Sequence, residues 1–431
     1  MSSLTDSGTT LESYDFLGVD LTVRRAHPQS GVDLTYIKQT GESNGDAGDQ
    51  YTGLDRFGRV ADQRWLTASS GTAVDRHQYG YDRDSNRTYR DDLVNAAFGE
   101  LYTYDGLGQI ASFDRGTLNG TKTGLTGAAS RSQSWDYDAV GNWDGVTTGG
   151  ATQTRTHNKQ NEITAVSGAT TPTFDANGNL TTDEAGLQYV YDAWNRLVAV
   201  KNSGGTTLAT YAYDGLYRRV SDTASSVTTD LYYSAAWRVL EERVGGMIKA
   251  SYVWSQVYLD ALVARDRDAD GNSGNGLEER LYAIQDASWN VTALVNTSGA
   301  VIERYAYDPF GKQTVYDVSY GSRAVTSYGW VVGFQGLRTS TVSGLTEARM
   351  RWYSFGIGRW VTSDPIGYVA CDTNMYRMVG NNPGTMNDPS GLKLQSPIRP
   401  GPPPQGTFSP PRNVVRVAPQ GPGRSTRPGG G

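Results

Sequence analysis

Phe174-Asp175-Ala176-Asn177-Gly178-Asn179-Leu180 is followed by Tyr191-Asp192-Ala193-Trp194-Asn195-Arg196-Leu197, and then by the drifted copy Tyr213-Asp214-Gly215-Leu216-Tyr217-Arg218-Arg219. Each unit is an aromatic residue, an acid, two variable residues, Gly or Asn, then Arg or Asn and an apolar residue. Further copies lie upstream at Leu54–Val60, Tyr81–Arg87, Tyr104–Ile110 and Tyr137–Trp143, with a more drifted one at His157–Ile163. The acids of neighbouring copies are about twenty apart: Asp175 to Asp192 is 17 residues, Asp192 to Asp214 is 22 and Asp82 to Asp105 is 23. A fixed turn signature at such a period is a repeat architecture. The unit reads as a β-hairpin. Alternation such as Tyr189-Val190-Tyr191 and Tyr211-Ala212-Tyr213 is strand-like with one aromatic face. The Asp carboxylate accepts from a backbone N–H two residues on, and Gly or Asn supplies a positive φ. Each Asp therefore reads as a turn acid rather than as a metal or sugar ligand, and the fold class is all-β, built of antiparallel hairpin repeats.

Composition agrees. The 431 residues include 52 Gly and 27 Tyr, only 19% are charged, and mean hydropathy is −0.52. That is turn-rich and aromatic-rich, as β-proteins are. A net charge of −6 argues against a nucleic-acid surface. The six basic residues after Leu392 face no acid, so residues 1–392 keep 33 basic against 45 acidic groups, a charge of −12. An acidic body thus precedes a basic tail. No apolar run is long enough for a membrane span, and the start Met1-Ser2-Ser3-Leu4-Thr5-Asp6 lacks the basic and apolar parts of a signal peptide. The single cysteine, Cys371, excludes an internal disulfide and reads as a small buried apolar residue.

Outward from the repeats, residues 1–50 are weakly patterned and show no motif. The array is expected over 51–303. Within it, Asp266-Arg267-Asp268-Ala269-Asp270-Gly271 begins like a calcium loop. The twelfth position is Leu277, so the closing acid would have to be Glu278, one residue late, and strand-like segments flank the loop instead of helices. Asp266, Asp268, Asp270 and Glu278 are the candidate metal ligands, with Ca²⁺ the one cofactor in view. The alternative is an exposed acidic loop between strands.

The segment 304–392 is singular. It opens with Tyr305-Ala306-Tyr307-Asp308-Pro309-Phe310-Gly311. It continues through Gly333-Phe334-Gln335-Gly336, Arg349-Met350-Arg351-Trp352-Tyr353, Gly358-Arg359-Trp360, Asp364-Pro365-Ile366-Gly367 and Gly380-Asn381-Asn382-Pro383, and ends on Asp388-Pro389-Ser390-Gly391-Leu392. These landmarks, in this order, resemble the core domain that closes YD-repeat arrays in the RHS family of bacterial proteins. The resemblance implies a β-ribbon wound into a spiral sheet or partial shell, closed by the core as a plug, in a protein that is secreted or on the cell surface. It also implies self-cleavage just after the last motif, here between Leu392 and Lys393, with Arg351 in the site. The partners it implies are the protein's own C-terminal segment, and a carbohydrate, cell-surface or toxin-complex protein. Two places differ from the family pattern: Ser354-Phe355 brings no acid after Tyr353, and the stretch Tyr368-Val369-Ala370-Cys371-Asp372 is longer than usual.

Two acids held close together do not both ionise easily, so one keeps its proton while the other serves as base. Asp364 and Asp388, each in an Asp-Pro-x-Gly motif, fit that role, one activating water and the other polarising a carbonyl. The competing reading is that Asp-Pro-x-Gly is only a turn, with Pro setting φ and Gly closing it. Beyond Leu392 lie 39 residues with ten of the sixteen prolines, expected to be a disordered tail too poor in apolar residues for a folded cargo. Size limits the shell as well. About 35 strands at ~4.8 Å make a ribbon of ~170 Å; wound twice it is ~27 Å across, which side chains mostly fill. The expected result is a partial shell or a filled coil. The second function class is a non-catalytic scaffold that binds carbohydrate or protein.

Overall fold

The hairpin unit forms as its residues dictate. In the computed structural model, which describes residues 2–19 and 21–392, each turn acid accepts two backbone N–H groups through one oxygen. Asp192 Oδ1 takes Trp194 N and Arg196 N at 2.9 and 3.0 Å, and Asp105 Oδ1 takes Leu107 N and Gln109 N, both at 2.9 Å. The second oxygen binds the side chain that follows the turn, Arg196 at 2.7 Å and Gln109 at 2.9 Å. Asn179 makes the same bond to Asp175 at 2.9 Å, which is why a side-chain N–H donor closes the unit. The fourth turn position has positive φ, +79° at Gly178 and +60° at Asn195. The strand register shifts at the aromatic residue just before the acid, between Val190 and Tyr191 and between Ala212 and Tyr213, a bulge that bends the strand into its turn.

The aromatic position favours Tyr for a further reason. Its hydroxyl donates to the carbonyl at the strand entry of the preceding repeat: Tyr81 to Val60 at 2.8 Å, Tyr104 to Arg87 at 2.8 Å, Tyr137 to Ile110 at 2.7 Å and Tyr213 to Leu197 at 2.8 Å. Each of these four hairpins is thus latched to the one before it.

Strands pair with their sequence neighbours, always antiparallel. Thirteen strands, from Ser3–Asp6 to Ile163–Val166, form the first sheet; fifteen, from Thr173–Phe174 to Ser322–Arg323, form the second. A small third sheet holds Arg338–Thr339, Thr346–Ala348, Arg351–Ser354 and Arg359–Trp360. Helix is confined to four short 3₁₀ turns among the described residues, and no helix is long and apolar enough to cross a membrane. The expectation of an all-β fold holds.

The N-terminal stretch carries more order than its pattern suggested: Ser3–Asp6, Thr9–Leu17, Leu21–His27 and Val32–Thr35 are successive strands of the first sheet. Charged residues at core positions hid the alternation. Glu12, Arg25 and His27 are all buried. Arg25 Nε donates to Glu12 at 2.6 Å, and His27 Nε2 lies 3.2 Å from the same oxygen. Burial alone would raise the Glu12 pKa, but Arg25 and His27 outweigh it and hold the carboxyl at about 2.

The two large sheets meet. Val32, Leu34, Trp65 and Tyr79 of the first sheet pack against Val263, Tyr282, Ile284 and Val295 of the second, and Trp65 Nε1 donates to Gln285 O at 2.9 Å. The core segment supplies the rest of the interior. Trp352, Ile357 and Val361 pack against Ile163, Leu180, Leu197 and Tyr211, while Trp330, Phe334, Tyr353 and Trp360 pack against Trp254, Leu281 and Tyr307. Its polar residues read the repeat turns directly. Asn381 Nδ2 donates to Gln109 Oε1 and Gly141 O at 2.9 and 2.8 Å, Asn382 Nδ2 to Asn86 Oδ1 and Gly108 O at 2.8 and 2.9 Å, and Tyr376 OH to Gly178 O at 2.8 Å. The asparagines of Gly380-Asn381-Asn382-Pro383 are therefore sockets for the turns of the array.

Candidate functional site

Three segments of the core converge: the start of strand Arg351–Ser354, the loop after Arg359–Trp360, and the last turn before Leu392. The two Asp-Pro-x-Gly motifs that meet here, at Asp364 and Asp388, form the turns their composition predicts; the acid of the third, Asp308, pairs with Arg131 instead. Gly367 N bonds Asp364 O at 3.0 Å and Gly391 N bonds Asp388 O at 3.4 Å. One side-chain oxygen of each acid holds its own turn: Asp364 Oδ1 accepts from Ile366 N at 3.0 Å, and Asp388 Oδ1 from Ser390 N, Ser390 Oγ and Leu392 N at 3.2, 2.8 and 3.1 Å. The other oxygen of each reaches a single nitrogen of Arg351. Its NH2 lies 2.9 Å from Asp364 Oδ2 and 3.7 Å from Asp388 Oδ2. The turn reading and the paired-acid reading are thus compatible, since the turn uses one oxygen and leaves the other.

Arg351 and Asp388 are buried, and Asp364 is half-buried with its side chain turned inward. Its guanidinium lies 4.3 Å from the Trp360 ring centre, NH1 donates to Met375 O at 3.0 Å, and Nε donates to Gly391 O. Three consecutive residues grip three consecutive carbonyls: Arg349 NH1 bonds Pro389 O, Met350 N bonds Ser390 O at 3.1 Å, and Arg351 bonds Gly391 O. A side chain at 391 would break this. Gly391 has φ +70°, and a Cβ there would sit 2.6 Å from Ala348 O.

Burial pushes the Asp364 carboxyl above the usual carboxylate range, more than Arg351 beside it pulls it down. The acids open on a cleft of about 40 Å³ lined also by Asp372, Asn374, Met375, Arg377 and Leu392. A water needs only ~10–15 Å³ of such space. The arrangement therefore has an acid whose pKa burial raises, a second carboxylate on the same guanidinium, room for water, and the Leu392 N–H fixed by Asp388. Lys393 lies outside the described residues. The long stretch after Gly367 is accommodated outward: Tyr368 and Val369 are exposed, and so is Cys371, at φ +60°, contrary to the expected buried position. Phe355 turns inward onto Phe334 and Tyr353.

Of the four calcium-loop residues, the fold gathers three. Asp268, Asp270 and Glu278 can bring carboxylate oxygens within 4.8 Å of one another. Asp266 is elsewhere, in a two-pronged pair with Arg280 at 2.6 Å. Lys249 Nζ sits 2.5 Å from Asp268, and Glu278 accepts from Ala269 N and Asp270 N at 2.6 and 2.9 Å.

Two groupings carried no readable sequence signal. Asp75, His77 and Asp92 cluster in the interior, because Asp75 and His77 share one face of a strand and His77 pairs across to Asp92. Arg90 and Arg304 line the same cavity of about 20 Å³; Arg304 lies 4.0 Å and His77 Nε2 3.2 Å from Asp75, while Arg90 pairs instead with Glu100 and Asp286 at 2.9 and 3.4 Å. The other is Asp260, which binds Arg349 through both of its oxygens. The alternation in Arg349-Met350-Arg351 was the one available hint that Arg349 belongs with Arg351.

Residues 100–384 match the family model of the teneurin YD-shell. Among curated proteins, the tRNA3(Ser)-specific nuclease WapA of Bacillus spizizenii is 27% identical over 272 residues, which is 60% of this chain and 11% of that protein. The toxin subunit YenC2 of Yersinia entomophaga is 28% identical over 194 residues, 42% of this chain and 19% of that one. Among solved structures, the Photorhabdus luminescens Tc holotoxin pore superposes with a TM-score of 0.69 at 18% identity, covering 91% of this chain and 20% of that chain. The chain spans between a tenth and a fifth of these relatives, and at that identity the superposition speaks for the fold.

Proposed function

The chain belongs to the teneurin YD-shell family, and on that premise we propose that this YD-shell scaffold cuts itself once, between Leu392 and Lys393. The observation that carries the reading is one nitrogen of Arg351 meeting both Asp364 and Asp388, with the Leu392 N–H bonded to Asp388. Asp364, pushed up by burial, holds the proton. Asp388 takes a proton from water in the cleft as the water oxygen attacks the Leu392 carbonyl carbon. Arg351 steadies the Asp388 carboxylate before the attack and the Asp364 carboxylate once its proton has left. Asp364 then gives its proton to the Lys393 nitrogen as the C–N bond breaks, leaving a carboxylate on Leu392 and an amine on Lys393. The chain is consumed by its own single turnover.

The released piece begins with the basic segment 393–431, and the nuclease and toxin names of the relatives make a toxic cargo the class we propose for it. Its acidic body is an electrostatic partner for that segment. The likeness to a Tc holotoxin makes a toxin-complex protein the partner class we propose for the shell. Mass spectrometry of the purified full chain tests the reading. A fragment ending at Leu392 is expected, and it should vanish in Asp364→Asn and in Asp388→Asn. A 46.7 kDa chain that stays intact through prolonged incubation overturns it in favour of a non-catalytic scaffold.

A further inference from the structure

The grip on the cleavage turn does not end within the core segment. The loop between strands Met247–Trp254 and Leu262–Arg267 reaches it at two points. Asp260 is buried and accepts from Arg349 NH2 at 2.5 Å and NH1 at 3.1 Å, and that same NH1 donates to Pro389 O. Tyr258 OH accepts from Asn387 Nδ2 at 2.6 Å, while its ring stacks on Trp289 at 4.6 Å. The loop is itself pinned. Arg238 donates to the Leu259 and Tyr258 carbonyls at 2.9 and 3.0 Å, Gln285 Nε2 to Asp260 O at 3.1 Å, and Gly336 packs so close that a Cβ would lie 2.2 Å from Asp260 O.

Arg349 is also held in an unusual backbone state. Its φ is +49°, a region non-glycine residues enter at a cost and keep only where their surroundings impose it. The pair with Asp260 and the bond to Pro389 are what impose it here. Releasing Arg349 would free the first of three rungs that seat residues 389–391 beside Arg351.

We infer that Asp260 and Tyr258 are positioning residues that license self-cleavage: the scissile turn is seated against Arg351, Asp364 and Asp388 only once the array loop 255–261 has docked on it. The inference rests on the self-cleavage reading. Its consequence is that a chain whose array is incompletely wound keeps its C-terminal segment attached, because a displacement of about an ångström at such a site costs on the order of a hundredfold in rate.

The experiment is a time course of cleavage during cell-free synthesis of the full chain, read by mass, for wild type, Asp260→Asn, Asp260→Glu and Tyr258→Phe. Asp260→Asn should cleave at least about tenfold more slowly, with its circular dichroism unchanged and the shape of its pH–rate profile kept, since that shape belongs to Asp364 and Asp388. Asp260→Glu, which restores the charge, should recover most of the rate. Tyr258→Phe, which removes one hydroxyl and little packing, serves as the second probe if Asp260→Asn fails to fold. Hydrogen exchange gives a readout apart from cleavage: the Met350 and Leu392 amides should exchange faster in Asp260→Asn. Folded variants that cleave at the wild-type rate, with unchanged exchange at these amides, overturn the positioning role and leave the self-cleavage reading standing. A wild-type chain that never cleaves overturns the self-cleavage reading itself.

Discussion

Replacing Arg351 with methionine keeps length and bulk but removes the charge shared by Asp364 and Asp388. The wild-type guanidinium is 2.9 and 3.7 Å from the two acids, donates to two carbonyls, and lies on the Trp360 ring. Taking one partner from a buried ion pair typically costs about 3–5 kcal/mol, because the remaining charge is left unpaired. With an unfolding entropy of ~2.1 cal/mol/K per residue, a body of this size melting as one unit loses about 4–6 °C in Tm for that cost. The pH dependence has a definite sign. In the variant, both carboxyls are buried without a cation, so their folded pKa values rise above the unfolded ones. Such groups stabilise the fold below the unfolded carboxylate pKa of about 4, and that contribution is lost as pH rises through the folded values. The Tm gap between wild type and Arg351→Met should therefore be widest near pH 8 and narrow steadily toward pH 5. Scanning calorimetry across that range reads it, with mass spectrometry confirming that both samples carry the same C-terminus. A gap under about 1 °C at pH 7, or one that does not change with pH, would refute the charge coupling on which the site depends.

Tyr213→Phe deletes the hydroxyl that donates to Leu197 O at 2.8 Å and accepts from Trp352 Nε1 at 3.3 Å; denaturant unfolding should show a loss of about 1–2 kcal/mol, and no loss would deny the latch between repeats. His157 is kept neutral by burial and then by nearby Arg359, its pKa depressed to about 4. Protonation therefore favours the unfolded chain, and stability should fall as pH drops from about 6.5 toward 4. His157→Gln should flatten that limb of the melting curve, and an unchanged limb would mean that His157 does not carry it. In the acidic loop, Lys249 and Arg280 already neutralise Asp268 and Asp266, so titration calorimetry with CaCl₂ should show no uptake tighter than millimolar; micromolar binding would mean that the ion displaces Lys249.

Much of the fold was legible because its determinants are local. The Asp of each repeat acts on N–H groups two and four residues away, so Asp192 or Asp105 announces its hairpin wherever it occurs. The first four strands were not legible because Glu12, Arg25 and His27 occupy core positions, and only their mutual pairing makes that burial tolerable. The candidate site was half legible. Three Asp-Pro-x-Gly motifs stand out in the sequence, of which Asp364 and Asp388 meet while Asp308 pairs with Arg131, and a family resemblance added Arg351. Asp260 did not stand out, since it lies 89 residues before the arginine it binds.

The sequence by itself determined the period, the hairpin and the all-β class, all through contacts spanning a handful of residues. Only the tertiary structure decided how the hairpins latch to one another and how the asparagines of the core socket into distant turns. It also decided that Asp364 and Asp388 each keep an oxygen for Arg351 after serving their own turns. Those depend on which segments the coil brings together, and burial makes such long-range contacts strong: a guanidinium and two carboxylates removed from water must find one another or not be buried at all.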